Sequence, residues 1–165
     1  TIDRDEISLD RFDHLVKDAA ILDFDGPLKA TEFFDKISTE VAKRIDAEPD
    51  YLKRRFLRRE KESSTVLRPG LAVPHVLVDG EHVFDLLMAR CKEGVVFSEL
   101  SPTVHVAFVL VGSNDERNFH LRALMNIAHI VETPDFDKKW LKANSIEQLR
   151  DLVLLAKRRR EESEA

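Results

Sequence analysis

Apolar residues recur at helical spacing from the start of the chain. Leu9, Phe12, Leu15 and Val16 fall on one face of a short helix predicted over residues 8–17. A brief apolar run at 20–23 runs into the turn-forming Asp25-Gly26-Pro27. Phe34, Ile37, Val41 and Ile45 predict an amphipathic helix over 31–45, and Pro49-Asp50 opens a strongly basic helix over about 51–61. The pattern then changes. Short apolar segments at 71–73, 83–89, 95–97 and 104–111, bounded by Gly80, Gly94, Pro102 and Gly112, read as strands. The last is apolar at almost every position, as expected of a strand covered on both faces. Helical spacing returns over 115–131, 134–141 and 145–157. Thr133-Pro134 reads as a capping hydroxyl before a first-turn proline, and Ser145 with Gln148 has the capping-box spacing.

Helices, then strands, then helices imply an α/β protein, a three-layer α/β/α sandwich. The close spacing of the strands at 83–97 makes part of the sheet antiparallel, so the central sheet is expected to be mixed. No internal repeat and no second domain interrupt the pattern. Residues 1–157 are read as one domain and 158–165 as a charged tail that frays.

Bulk properties narrow the classes. At 165 residues and 43% hydrophobic the chain can bury a real core, and no apolar run approaches the roughly 20 residues a membrane-spanning helix needs. A formal charge of −5 argues against nucleic acid as a general partner. The lone cysteine, Cys91, excludes an internal disulfide framework and suits a cytoplasmic, reducing setting. The first residue is Thr1 rather than methionine, which predicts a removed leader or a domain cut from a longer polypeptide.

The chemistry concentrates at residues 59–75. Pro74 keeps Val73 extended and fixes its own φ, so the strand at 71–73 is expected to stop and present His75 at its carboxyl end. In open α/β sheets ligands bind at that edge. A neutral imidazole nitrogen is a competent nucleophile near pH 7. Phosphoryl transfer needs positioning and positive or hydrogen-bonding groups around three equatorial oxygens. Arg59 offers a bidentate clamp, and Ser64 and Thr65 offer neutral phosphate-binding donors. The plain alternative is an ordinary loop histidine.

The stretch Arg59-Glu60, Ser64-Thr65 and Gly70-Leu71-Ala72-Val73-Pro74-His75 resembles the phosphorylation-site block of type 2 enzyme IIA domains, the fructose, mannitol and nitrogen-regulatory members of the bacterial phosphotransferase system. The resemblance continues through Gly112-Ser113-Asn114-Asp115-Glu116 to His120 and covers about residues 8–155. It implies a phosphorylated histidine at His75, a second active-site histidine at His120 and a charge-stabilising arginine at Arg59. It also implies a histidine-carrier type phosphoryl donor. Such domains also occur appended to the cytosolic ends of membrane transporters, so control of an associated transporter, at the cytosolic face of a membrane, is expected. No cofactor is implied. Two positions depart from the family pattern: Val76 stands where a glycine usually follows the phosphorylated histidine, and Val66-Leu67-Arg68-Pro69 replaces a glycine-rich loop. Val or Pro removes the backbone freedom that lets amides approach an anion. A domain that senses a ligand or assembles a transporter without being phosphorylated is therefore the alternative.

Three other signals compete. Ile21-Leu22-Asp23-Phe24-Asp25-Gly26 mimics the opening motif of haloacid dehalogenase-like phosphatases, with Asp23 as nucleophile and Asp25 as acid/base beside Mg²⁺. The bland reading is a turn, with Asp23 capping or solvated. The basic run Lys53, Arg54, Arg55, Arg58, Arg59 and Lys61 is either a solvated helix face or a docking stripe for an acidic partner or anionic membrane. The remaining histidines, His14, His82, His105 and His129, show no metal-ligand spacing, so no metal site is expected.

Overall fold

A computed structural model describes residues 9–158. Its elements in chain order are α1 (Arg11–Asp18), β1 (Ala20–Phe24), β2 (Leu28–Lys29), α2 (Ala30–Ile45), α3 (Pro49–Glu62), β3 (Val66–Arg68), β4 (Gly70–Ala72), β5 (His75–Val78), β6 (Phe84–Val96), β7 (Val104–Ser113), α4 (Arg117–Val131), α5 (Phe136–Lys142) and α6 (Ile146–Leu154). A single 3-10 turn, Asn114–Glu116, joins β7 to α4.

One sheet of seven strands runs β1-β6-β7-β4-β3, with β2 also beside β6 and β5 also beside β7. The β6/β7 and β3/β4 pairs are antiparallel and the others parallel, so the sheet is mixed as expected. Side chains alternating along the strands divide the core. Ile21, Leu86, Met88, Val106, Phe108 and Leu110 face α1, α4, α5 and α6. Leu87, Ala89, Ala107, Val109 and Val111 face α2 and α3 on the opposite side. This double coverage is why β7 is apolar throughout. The three-layer α/β/α sandwich follows from it.

Several local expectations are corrected. The segments read as strands at 83–89 and 95–97 belong to one strand, β6. Gly94 does not end it; at φ +95° it absorbs a register shift between Arg90 and Val95, the conformational freedom a bulge requires. Its missing side chain is also obligatory, because a Cβ there would stand 1.8 Å from Thr103 Cγ2. Pro74 likewise interrupts the edge without ending it. Pro74 O accepts from Leu110 N at 2.9 Å, and the chain resumes parallel to β7 with His75 opposite Leu110. His75 therefore opens a strand rather than trailing one. Thr133 does not cap α5: its hydroxyl donates back to Ile130 O at 2.7 Å, and Asp135, at φ +60°, is the N-cap. Ser145 does cap α6, accepting from Gln148 N at 3.1 Å, while the Gln148 side chain reaches the Asn144 amide instead of completing the box. The helix read to begin at Ser8 starts at Arg11, where Asp10 and Asp13 form a capping box; Ser8 lies outside the described residues. Most of the tail expected to fray, 159–165, also lies outside them.

Candidate functional site

The site begins with the kink between β4 and β5. Val73 N donates to Thr65 O at 2.9 Å, which seats the residue before Pro74. Val73 O in turn lies 2.7 Å from Nδ1 of His75. A carbonyl can only accept, so Nδ1 carries a proton, and in the neutral ring Nε2 is the nitrogen that holds the lone pair. Val76, next along β5, is buried among the α2/α3-side core residues. At an inward-facing strand position a valine is what packing calls for, which accounts for this departure from the family pattern.

His120 arrives from the opposite direction, in the first turn of α4. The two rings meet edge to face with centroids 5.4 Å apart, and Phe84 packs against His120 from another side at 5.7 Å. His120 is buried, and its Nδ1 has no hydrogen-bond partner among the described residues. Burial, with a smaller contribution from His75, pushes its pKa down to about 4. The ring is therefore neutral at pH 7, with one N–H to donate.

Both histidines line an open cleft of ≈ 960 Å³ between α3, β5 and the start of α4. Arg59 lines it too, anchored by an Nη1 donation to Ser63 O at 2.8 Å. Three of the five residues singled out from the sequence thus share one hollow. The other two do not line it. Thr65 is buried, its hydroxyl donating to Glu60 Oε2 at 2.7 Å and its amide to Glu60 Oε1 at 3.0 Å. Ser64 Oγ accepts from Val66 N at 3.2 Å. Sequence reasoning also missed cleft residues: Tyr51, Arg54, Arg55 and Arg58 from α3, and Asn114 and Arg117 beside His120. The basic run held the signal, because residues 51, 54, 55, 58, 59 and 62 fall on one helical face. That face meets the histidines instead of standing apart from them.

The substituted loop has its own employment. Val66 to Arg68 form β3, and Arg68 makes a fork to Asp137 at 2.7 and 2.8 Å and reaches Val131 O at 3.2 Å. The phosphatase-like motif is accounted for as well. Asp23 is exposed but caps nothing: both its oxygens accept from Arg90, at 2.9 and 2.6 Å, and the buried Arg90 also donates to Trp140 O and Ala143 O. A carboxylate held this way is a structural counter-ion and not an open nucleophile. His82, Asp115 and Glu116, a grouping that sequence spacing did not reveal, bring ligand-type atoms within 4.8 Å of one another; Glu116 pairs with Arg11, and Asp115 accepts from Ser113 Oγ and His82 N.

Comparison with known proteins decides what this arrangement belongs to. Residues 21–155 match the family described as phosphoenolpyruvate-dependent sugar phosphotransferase system, EIIA 2. The chain belongs to that family. It is 28% identical over 102 residues to the PTS system fructose-specific EIIABC component of Bacillus subtilis, a match spanning 61% of this chain and 16% of that protein. The matches cover about a sixth to a quarter of the length of such curated relatives. Among solved EIIA structures, nitrogen regulatory protein IIA-Ntr from Neisseria meningitidis superposes with a TM-score of 0.73 at 20% identity, covering 86% of this chain and 94% of that one. The complex of enzyme IIAMTL and phosphorylated enzyme IIBMTL from Escherichia coli superposes at 0.64 and 17% identity, covering 88% and 96%. These structural likenesses establish the EIIA fold.

Proposed function

We propose that this EIIA domain accepts a phosphoryl group on Nε2 of His75 and passes it on. The observation that carries the reading is the bond from His75 Nδ1 to Val73 O, which fixes the tautomer with Nε2 unprotonated in a cleft. The Nε2 lone pair attacks phosphorus on a phosphorylated histidine-carrier protein. The new N–P bond forms as the donor's P–N bond breaks, its electron pair returning to the donor nitrogen, and no proton need leave His75. His120, neutral and adjacent, donates a hydrogen bond to a phosphoryl oxygen, and the Arg59 guanidinium balances its charge. Thr65 acts at one remove, by holding Val73 and Glu60 in place. Onward transfer reverses the same step toward a component of an associated membrane transporter, on its cytosolic side. The kinship to a fructose-specific EIIABC component and to a domain solved with phosphorylated IIBMTL supports that order.

The test is incubation with phosphoenolpyruvate and the general phosphotransferase proteins. An acid-labile mass gain of one phosphoryl group is expected, and its loss in His75→Ala. No gain beside an active positive control overturns the proposal and leaves the non-phosphorylated sensing or assembly domain as the reading.

A further inference from the structure

One phosphoryl group asks for little of what surrounds His75. It carries about two negative charges at most, and Arg59 and His120 already serve it in the reading above. The cleft nevertheless holds four more guanidinium groups, from Arg54, Arg55, Arg58 and Arg117, against one carboxylate, Glu62. Their charge is poorly compensated. Arg58 lies 3.5 Å from Glu62 and Arg55 3.8 Å from Asp79, both pairs largely in solvent, where such contacts contribute little. Among the described residues Arg54 and Arg117 form no ion pair with any carboxylate. Like charges gathered in a hollow repel one another and focus a field that draws anions in.

Part of this wall is also set in place beforehand. The Arg55 guanidinium lies over the Tyr51 ring at 4.8 Å, and the Tyr51 hydroxyl is tied to Asp79 at 3.1 Å. Arg55 Nε is buried with no hydrogen-bond partner among the described residues. The volume of ≈ 960 Å³ matches clefts that take whole small molecules, commonly about 300–1,000 Å³, and far exceeds a phosphoryl group. Because the arginines line a hollow and do not stand on a convex face, a compact ligand of high charge suits them better than an extended acidic surface.

We propose that the cleft also binds, without covalent reaction, a small molecule carrying a chain of two or more phosphates, gripped by Arg54, Arg58 and Arg117 over His75. The proposal deepens the phosphoryl-accepting reading and rests on it for the count of surplus charge; the ligand covers His75 and competes with its phosphorylation. Guanidinium forks match phosphate oxygens two at a time, which is why a diphosphate gains over a single phosphate.

Isothermal titration of the full chain with pyrophosphate, ADP, AMP and orthophosphate tests it. Pyrophosphate or ADP is expected to bind at least tenfold more tightly than orthophosphate and AMP, and their order separates a plain phosphate chain from a nucleotide. Arg54→Ser with Arg58→Ser is expected to weaken binding tenfold or more, since both side chains are exposed and leave the core intact. Lys61→Ser with Lys92→Ser, an equal loss of charge outside the cleft, is expected to change it less than twofold, and His75→Ala to retain it. Saturating pyrophosphate is expected to slow phosphorylation of His75. Equal affinity for pyrophosphate and orthophosphate, equal effects of the arginine and lysine pairs, or binding of a polyglutamate peptide in place of pyrophosphate overturns the proposal. Labelling of His75 with no pyrophosphate binding removes this inference alone. Pyrophosphate binding with no labelling removes the phosphoryl-accepting reading alone.

Discussion

His75 and His120 face each other edge to face across 5.4 Å, one held by a backbone carbonyl and the other by burial. The two imidazoles are alike in chemistry and opposite in preparation. His75 has its tautomer assigned by Val73 O. His120 has its charge state assigned by the apolar wall of Phe84 and by its neighbour. The two roles proposed for them rest on these two environments, as for paired groups elsewhere whose settings push them apart.

The buried His120 makes stability depend on acidity. Its folded pKa, about 4, lies below the ordinary 6.5, so the unfolded chain binds the proton first. The stability present above pH 6.5 is therefore lost as pH falls towards 4 and is constant below it. The gap is on the order of 3 kcal/mol. Urea melts between pH 7 and 4 are expected to show this slope in the wild type and a shallower one in His120→Gln.

Arg59 is expected to matter for its fork and not only for its charge. Arg59→Ala should slow phosphorylation of His75 by about 10- to 100-fold, and Arg59→Lys should recover only part of the loss. Initial rates at matched donor concentration check this. Full activity in Arg59→Ala would assign the charge balance to the other arginines of α3.

Arg90, on β6 opposite Asp23 of β1, is a buried structural counter-ion. Arg90→Ala takes the donor from the buried carbonyls of Trp140 and Ala143 and the partner from the exposed Asp23, and should cost about 1–3 kcal/mol in chemical denaturation. Asp23→Asn is expected to lower the melting temperature while the protein that remains folded still takes up label at His75. A phosphatase activity lost in Asp23→Asn would contradict that assignment.

Gly94→Ala brings a Cβ into Thr103 and places alanine at positive φ. A loss of about 2 kcal/mol or more is expected. Adding Thr103→Gly should restore the steric part and leave the backbone part, a split that a double-mutant cycle reads directly.

Much of this was legible in the residues. The unbroken apolar run of β7 demanded cover on both faces, and the sheet supplies it with two cores. The block from Arg59 to His75, with His120 far downstream, pointed to one site, and all three side chains line one cleft. What escaped was local and had local causes. Pro74 and Gly94 look alike as breakers in one dimension, but each sits where a neighbouring strand holds the chain on both sides of it. Thr65 faces the protein because of Glu60, a partner no spacing rule selects, and the Ser64 hydroxyl is taken by the Val66 amide. The basic face of α3 was visible as a stripe, but only the packed sheet shows what it looks onto.

The Glu60 contact ties the chemistry to the mechanics of α3. The helix that carries the guanidinium wall also grips Thr65, whose carbonyl steadies Val73, whose own carbonyl orients the His75 ring. Helix, hairpin and imidazole are thus joined by an unbroken run of hydrogen bonds. The orientation of the His75 ring is therefore set in part by a glutamate on the helix that carries the arginines.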